Sequence, residues 1–107
     1  MWNPPTVKQL AKIPSLYSTE ETPIADKIVK MHFFIGGSDW YIFEYDGEDL
    51  FFGYVILNGD TDMAEAGYIS LSELKGIKVG FGLEVDRDMH WTPIKAGEID
   101  KLKACMV

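Results

Sequence analysis

Asp86, Asp88 and His90 stand at alternate positions in "LEVDRDMHW". On a strand the three side chains would project from one face at intervals of about 6.6–6.8 Å. Two carboxylates and an imidazole so placed could hold a divalent cation and activate water for phosphodiester hydrolysis. Arg87 lies between the acids, however, so an exposed strand face with local ion pairs is the stronger reading. Asn58, Asp60 and Asp62 match the first three ligand positions of a calcium loop, whose hard oxygens suit a hard cation. That match breaks at Met63, where the loop needs glycine, and at Ile69, where it needs a bidentate glutamate. No metal or other cofactor is expected.

His32 sits in an apolar run with no second histidine or cysteine near it, the pattern of a hydrogen-bonded core histidine. The chain has no GxSxG elbow, P-loop, HExxH pair or dinucleotide fingerprint. Lys75, Lys78 and Arg87 are too sparse for a nucleic-acid patch. Cys105 is the single cysteine, which excludes an internal disulfide and a CxxC site. It reads as a tolerated thiol near a frayed end.

The elements that must position these groups follow from pattern. Asn3 can cap a helix over about residues 5–12, whose first turn tolerates Pro4 and Pro5. "SLYSTEETP" is a loop, and "IVKMHFFI" is a β-branched and aromatic strand that stops at Gly36-Gly37. In "WYIFEYDGEDLFFGYV", Asp46-Gly47 signals a two-residue type I′ hairpin turn between apolar runs. Those runs are apolar at both parities, so both faces of the strands must be covered, and helices must pack on the sheet. Gly53 suggests a bulge or a close backbone approach. Gly67-Tyr68-Ile69 resembles a short strand entering a capping box of Ser70 and Glu73, with the helix closing at Gly76. "LEVDRDMHW" supplies a last strand and Ala96 to Lys103 a terminal helix.

A chain of 107 residues makes one domain, and 47% hydrophobic residues can build its core without disulfides. No run approaches a membrane helix, and "MWNPPTVKQL" lacks the cationic and apolar regions of a signal peptide, so a cytoplasmic location is the expectation. The net charge of -7 opposes unaided binding to nucleic acid or anionic membrane. Its distribution is uneven: from Met31 to Leu74 there are nine acids and no lysine or arginine, while the rest holds eight acids and ten bases.

Four segments, "IPSLYSTEETPIADKIV", "WYIFEYDGEDLFFGYV", "GYISLSELKGI" and "GLEVDRDMHWTP", occur in an order that resembles the bacterial domain-of-unknown-function family 2958. The resemblance covers about residues 13 to 93. It implies genes carried by plasmids, phages and integrative elements, and no shared active site to transfer. The chain departs from the pattern in a longer acidic loop from Leu57 to Ala66 and in His90-Trp91, which weighs against His90 as a shared catalytic group.

These readings give an α+β domain with a mainly antiparallel sheet around a hairpin at about 40–56. The expected function is a non-catalytic binding module whose acids Glu44, Asp46, Glu48, Asp49, Asp60, Asp62 and Glu65 dock a basic host protein. Two alternatives stand beside it: a metal-dependent nuclease using Asp86, Asp88 and His90, and an acidic surface that only confers solubility.

Overall fold

Thr6 starts the first helix, not Asn3. In the computed structural model, which describes residues 1–106, the Thr6 hydroxyl accepts the Gln9 amide at 3.1 Å and the Gln9 side chain accepts the Thr6 amide at 2.8 Å. This reciprocal box sets α1 at Val7–Leu10, shorter than residues 5–12. Asn3 instead donates to the Asp86 carboxylate, 83 residues away in sequence, at 2.9 Å. The loop expected at "SLYSTEETP" is present, and a 3-10 turn follows at Ile24–Asp26.

The run "IVKMHFFI" divides at Lys30 into β1 (Ile28–Val29) and β2 (Met31–Ile35). Then come β3 (Ser38–Tyr45), β4 (Leu50–Ile56), β5 (Glu65–Ser70) and α2 (Leu71–Gly76). The expected strand "LEVDRDMHW" is also divided. Its Leu83–Glu84 (β7) pairs with β6 (Lys78–Val79) as a hairpin, and its Asp86–Arg87 (β8) pairs with β2. Next, β9 (Ile94–Lys95) returns to pair with β1. The expected terminal helix breaks at extended Ile99 into a 3-10 turn, Ala96–Glu98, and α3 (Asp100–Lys103).

The fold is α+β. Its main sheet is antiparallel in the order β5-β4-β3-β2-β8. Apolar residues at both parities of β3 bury both of its faces, as the pattern requires. Trp40, Ile42 and Tyr45 join Phe33, Phe51, Ile69 and Leu74 in one core layer, with Leu10 of α1 and Leu71 of α2 against it. Tyr41 and Phe43 join Val29, Ile56, Ala96 and Leu102 in the other, beneath the C-terminal turns. Phe33, Phe43 and Phe51 are fully buried, and each burial is worth roughly 1.5–3 kcal/mol.

The parity of β3 changes along its length because the register shifts between Ile42 and Glu44: Ile42 opposes Gly53, and Glu44 opposes the next residue, Phe52. Phe43 is the extra residue of a β-bulge. The bulge lies opposite Gly53, where a Cβ would stand 2.2 Å from the Tyr41 carbonyl oxygen, so Gly53 marks the close backbone approach that its place in the strand suggests. The hairpin between β3 and β4 also differs from a two-residue turn. Residues 46–49 form the loop, and of its Asp-Gly pair only Gly47 has positive φ, at +87°. Asp46 acts through its side chain instead.

Gly53→Ala should therefore lower the melting temperature strongly, because backbone and not a flexible side chain occupies the space. Gly67→Ala is the control, since nothing lies within 4 Å of its Cβ position. Two variants equal to wild type in thermal denaturation would remove the close approach as a constraint.

Candidate functional site

Of the seven acids expected to dock a partner, Glu44 is not on the surface. It is 3% exposed, because the bulge turns it onto the same face as Phe43. Its Oε1 accepts the Tyr17 amide at 2.8 Å, and its Oε2 accepts the Thr19 amide at 3.2 Å and the Thr19 hydroxyl. Buried Lys27 stands 3.9 Å away and donates to the Thr19 carbonyl and hydroxyl. Glu44 thus holds the loop from Tyr17 to Thr19 onto the sheet.

Asp46 and Asp49 belong to local structure. One Asp46 oxygen accepts the amides of Glu48, Asp49 and Leu50 at 2.8–3.0 Å, and these bonds, Leu50 first, hold its carboxyl below the ordinary range. Asp49 accepts the Ser70 hydroxyl at 2.5 Å, the Ser72 hydroxyl at 2.7 Å and the Ser72 amide at 2.9 Å, which lowers its carboxyl too. Asp49 thereby serves the first turn of α2 where Glu73 was expected to close a box with Ser70. The Ser70 half is present, its hydroxyl accepting the Glu73 amide at 3.3 Å.

Glu48, Asp60, Asp62 and Glu65 are exposed, yet they do not form one surface. Glu48 precedes β4 and the other three follow it, so the seven residues of that strand separate them by roughly 20 Å. The Asp60 carboxylate accepts the amides of Asp62 and Met63 at 3.2 Å, which shapes its own loop. Beside these acids lies a shallow depression of about 480 Å³ lined by Val55, Leu57, Asp60, Met63, Glu65 and Gly67. Leu57 and Met63 are both more than half exposed.

The adjoining strand, β5, forms one edge of the sheet. The Leu71 amide donates to the Asp49 carbonyl at 2.8 Å, which sets the phase of the ladder with β4. Glu65, Gly67 and Ile69 then exchange backbone bonds with β4, while Ala66, Tyr68 and Ser70 direct their N–H and C=O groups outward. Next to this edge, on the side of Tyr68, is a cavity of about 380 Å³. Tyr17, Glu20, Phe52 and Tyr68 line it, and the Lys27–Glu44 pair lies within its wall.

Asp86, Asp88 and His90 are not brought together as a metal centre. β8 ends at Arg87, so alternate positions no longer share a strand face. Asp86 accepts from Asn3, a bond that lowers its carboxyl. Asp88 accepts the His90 amide at 3.0 Å within a turn, and His90 is exposed. Among the described residues no group of three histidine, cysteine, aspartate or glutamate side chains could hold a metal ion. Asn58 has φ +53° in a turn, and the Asn58–Asp62 segment likewise forms no such group.

His32 is the hydrogen-bonded core histidine that the pattern implies. Its Nε2 lies 2.7 Å from the Asp39 carboxylate, and its ring stacks on Tyr41 at 4.5 Å and 3°. Lys101 of α3 donates to the other Asp39 oxygen. Burial drives the Asp39 carboxyl up, but the bonds from His32 and Lys101 outweigh it, and the net shift is downward. Burial and the Asp39 charge push the Tyr41 phenol up. Asp39 is the residue that sequence reasoning passed over. Its signal lies in hairpin register, which puts positions 32, 34, 39 and 41 on one face once the strands turn at Gly36-Gly37.

The family model described as "Protein of unknown function (DUF2958)" matches residues 7–96. The chain belongs to this family. No curated protein and no solved structure matches it. The span shared with DUF2958 includes α1 and every strand, together with Tyr17, Lys27, Glu44, Tyr68 and the His32–Asp39 pair. Lys101, which donates to Asp39 from α3, lies beyond the matched span. Among the described residues of this DUF2958 chain no helix is long and apolar enough to cross a membrane.

Two outcomes follow. Glu44→Gln should cost about 3 kcal/mol in urea denaturation, since it leaves the Lys27 ammonium buried without its counter-ion, and adding Lys27→Met should recover part of that loss. A single variant as stable as wild type would refute the anchoring role. For Asp39 the folded carboxyl lies below its unfolded value of about 3.9, so its stabilisation is complete above that value and lost as pH falls through the folded one. Asp39→Asn should be less stable than wild type near neutral pH, with the gap narrowing below about pH 4. A gap independent of pH would contradict this.

Proposed function

We propose that this domain is a non-catalytic binding module for a protein that presents a basic segment, and that the contact is made at the β4–β5 end of the sheet. The observation that carries the reading is the coincidence of three exposed acids, Asp60, Asp62 and Glu65, with exposed Leu57, Met63 and Tyr68 beside an edge strand that has no second partner among the described residues. From Met31 to Leu74 the chain offers no lysine or arginine to neutralise these acids. Exposed edges and apolar side chains favour association, and the rim of acids selects the sign of the partner.

The hairpin tip drops out of the docking surface. Asp46 and Asp49 are engaged with backbone amides and serine hydroxyls, which supports a structural role for the charge there. The family resemblance supplies a setting: mobile elements of bacteria, whose proteins meet host machinery that acts on nucleic acid through basic surfaces. A module of this kind would compete for such a surface.

The test is calorimetric titration of the domain with a capped octapeptide of alternating arginine and valine, at low salt and at about 0.15 M, where exposed charges are screened over about 8 Å. Binding should weaken as salt rises. Asp60→Lys with Asp62→Lys should weaken it roughly tenfold, while Glu48→Lys, at the other end of β4, should leave it nearly unchanged. No binding, or equal loss in all variants, would reduce the acids to a solubility feature.

A further inference from the structure

We infer that the cavity formed by Tyr17, Phe52 and Tyr68 with Glu20 is a cage for one arginine or lysine side chain, presented by an extended segment that adds to the open edge of β5. This deepens the reading of the domain as a receptor for a basic segment and rests on it.

The cavity is built at a conformational cost. Tyr17 has φ +67°, a left-handed conformation that a bulky residue rarely adopts and that costs on the order of 1–2 kcal/mol. Its ring recovers little by burial, since the residue is 61% exposed. The Tyr17 amide donates to the buried Glu44 carboxylate at 2.8 Å, so the residue is held at the sheet in this conformation. Strain of this kind collects at binding sites. Tyr68 is 55% exposed and packs at 5.4 Å and 56° against Phe52, so two aromatic walls meet at an angle and Tyr17 supplies a third.

The charge around these walls selects a cation. The Lys27 ammonium in the wall is engaged by the Thr19 carbonyl and hydroxyl and faces Glu44 at 3.9 Å. The Glu20 carboxylate at the rim has no ion-pair or hydrogen-bond partner among the described residues. The Tyr68 phenol is pushed up, first by the neighbouring Tyr17 side chain and then by burial, with the Glu44 and Glu20 charges adding to it. Aromatic faces with a free carboxylate suit a guanidinium or ammonium group.

The strand beside the cavity says how the cation arrives. Ala66, Tyr68 and Ser70 direct their backbone groups away from β4, and a segment that pairs with them places the residue opposite Tyr68 on the face that Tyr68 and Phe52 share. That face carries the cavity. Backbone pairing then gives affinity and the caged cation gives side-chain selection, the division of labour in strand addition.

The test uses the same capped arginine–valine octapeptide with isotopically labelled protein. Bound peptide should slow hydrogen exchange at the Ala66, Tyr68 and Ser70 amides and shift the ring resonances of Tyr17, Phe52 and Tyr68. Tyr17→Gly keeps the positive φ and removes only the ring, so it should fold at least as well as wild type yet bind roughly fivefold more weakly. Tyr68→Leu should weaken binding similarly. Undiminished affinity in both variants would overturn the cage while leaving the acidic docking surface intact. Peptide that fails to bind even the wild type would overturn both. A dimer in sedimentation without peptide, with the same three amides protected, would assign the edge to a second copy and overturn the inference.

Discussion

One extra residue in β3 governs much of this molecule. Without the Phe43 bulge, Glu44 would share a face with Trp40 and Ile42, and its carboxylate would enter an apolar layer with no donors. With it, Tyr45 takes that position and Glu44 turns to the other side, where two amides, a hydroxyl and an ammonium meet it. Removing a carboxylate from water costs several kcal/mol unless its oxygens are satisfied, and here both are. The chain segment that satisfies them is the loop before the 3-10 turn at Ile24–Asp26. A backbone irregularity is thus converted into the attachment of a loop, and the attached loop builds the aromatic cavity.

Asp39 has a comparable role at the opposite end of the same strand. It is 7% exposed, and its two oxygens join His32 of the neighbouring strand to Lys101 of the C-terminal helix. The two buried acids of β3 therefore fasten the pieces that cover the second face, one N-terminal and one C-terminal. This changes the meaning of the net charge. Of the nine acids between Met31 and Leu74, Asp39 and Glu44 are internal, and Asp46, Asp49 and Asp60 accept backbone amides that shape turns and caps. Much of an apparent surface property is structural chemistry, and what remains for solvent is concentrated in a few positions.

The hairpin, the two-sided burial of β3, the close approach at Gly53 and the core character of His32 were all legible, because each follows from a local pattern of apolar residues and glycine. The burial of Glu44 was not. Within "WYIFEYDGEDL" a charged residue next to Asp-Gly has the sequence signature of a solvated tip, and only the bulge, set by packing against Gly53, reverses its direction. Asp88 and His90 misled for a related reason: alternation implies one face only while the strand continues, and β8 stops at Arg87. Asn3 and Thr6 are both competent caps, and the choice between them depends on Gln9 closing the box with one and Asp86 taking the other. The ordered segments shared with the family carried further than any single motif, since the match spans residues 7–96.

The two edges of the main sheet are treated differently. At one edge β8 is two residues long, and the N-terminal segment is tied beside it by Asn3 to Asp86 and by the Arg87 side chain to the Asn3 carbonyl at 3.0 Å. A short, occupied edge cannot recruit another strand. At the other edge β5 has six residues, and from the start of β4 to the end of α2's first turn the chain supplies neither proline nor a lysine to discourage pairing. Its single glycine, Gly67, leaves the adjoining depression open, and exposed Tyr68 stands midway along it. Three of the exposed acids, Asp60, Asp62 and Glu65, lie at or just before the start of this strand. The N-terminal segment closes one edge of the sheet, and the other is longer, with Tyr68 exposed midway along it and Asp60, Asp62 and Glu65 at its start, the arrangement on which the proposed docking surface rests.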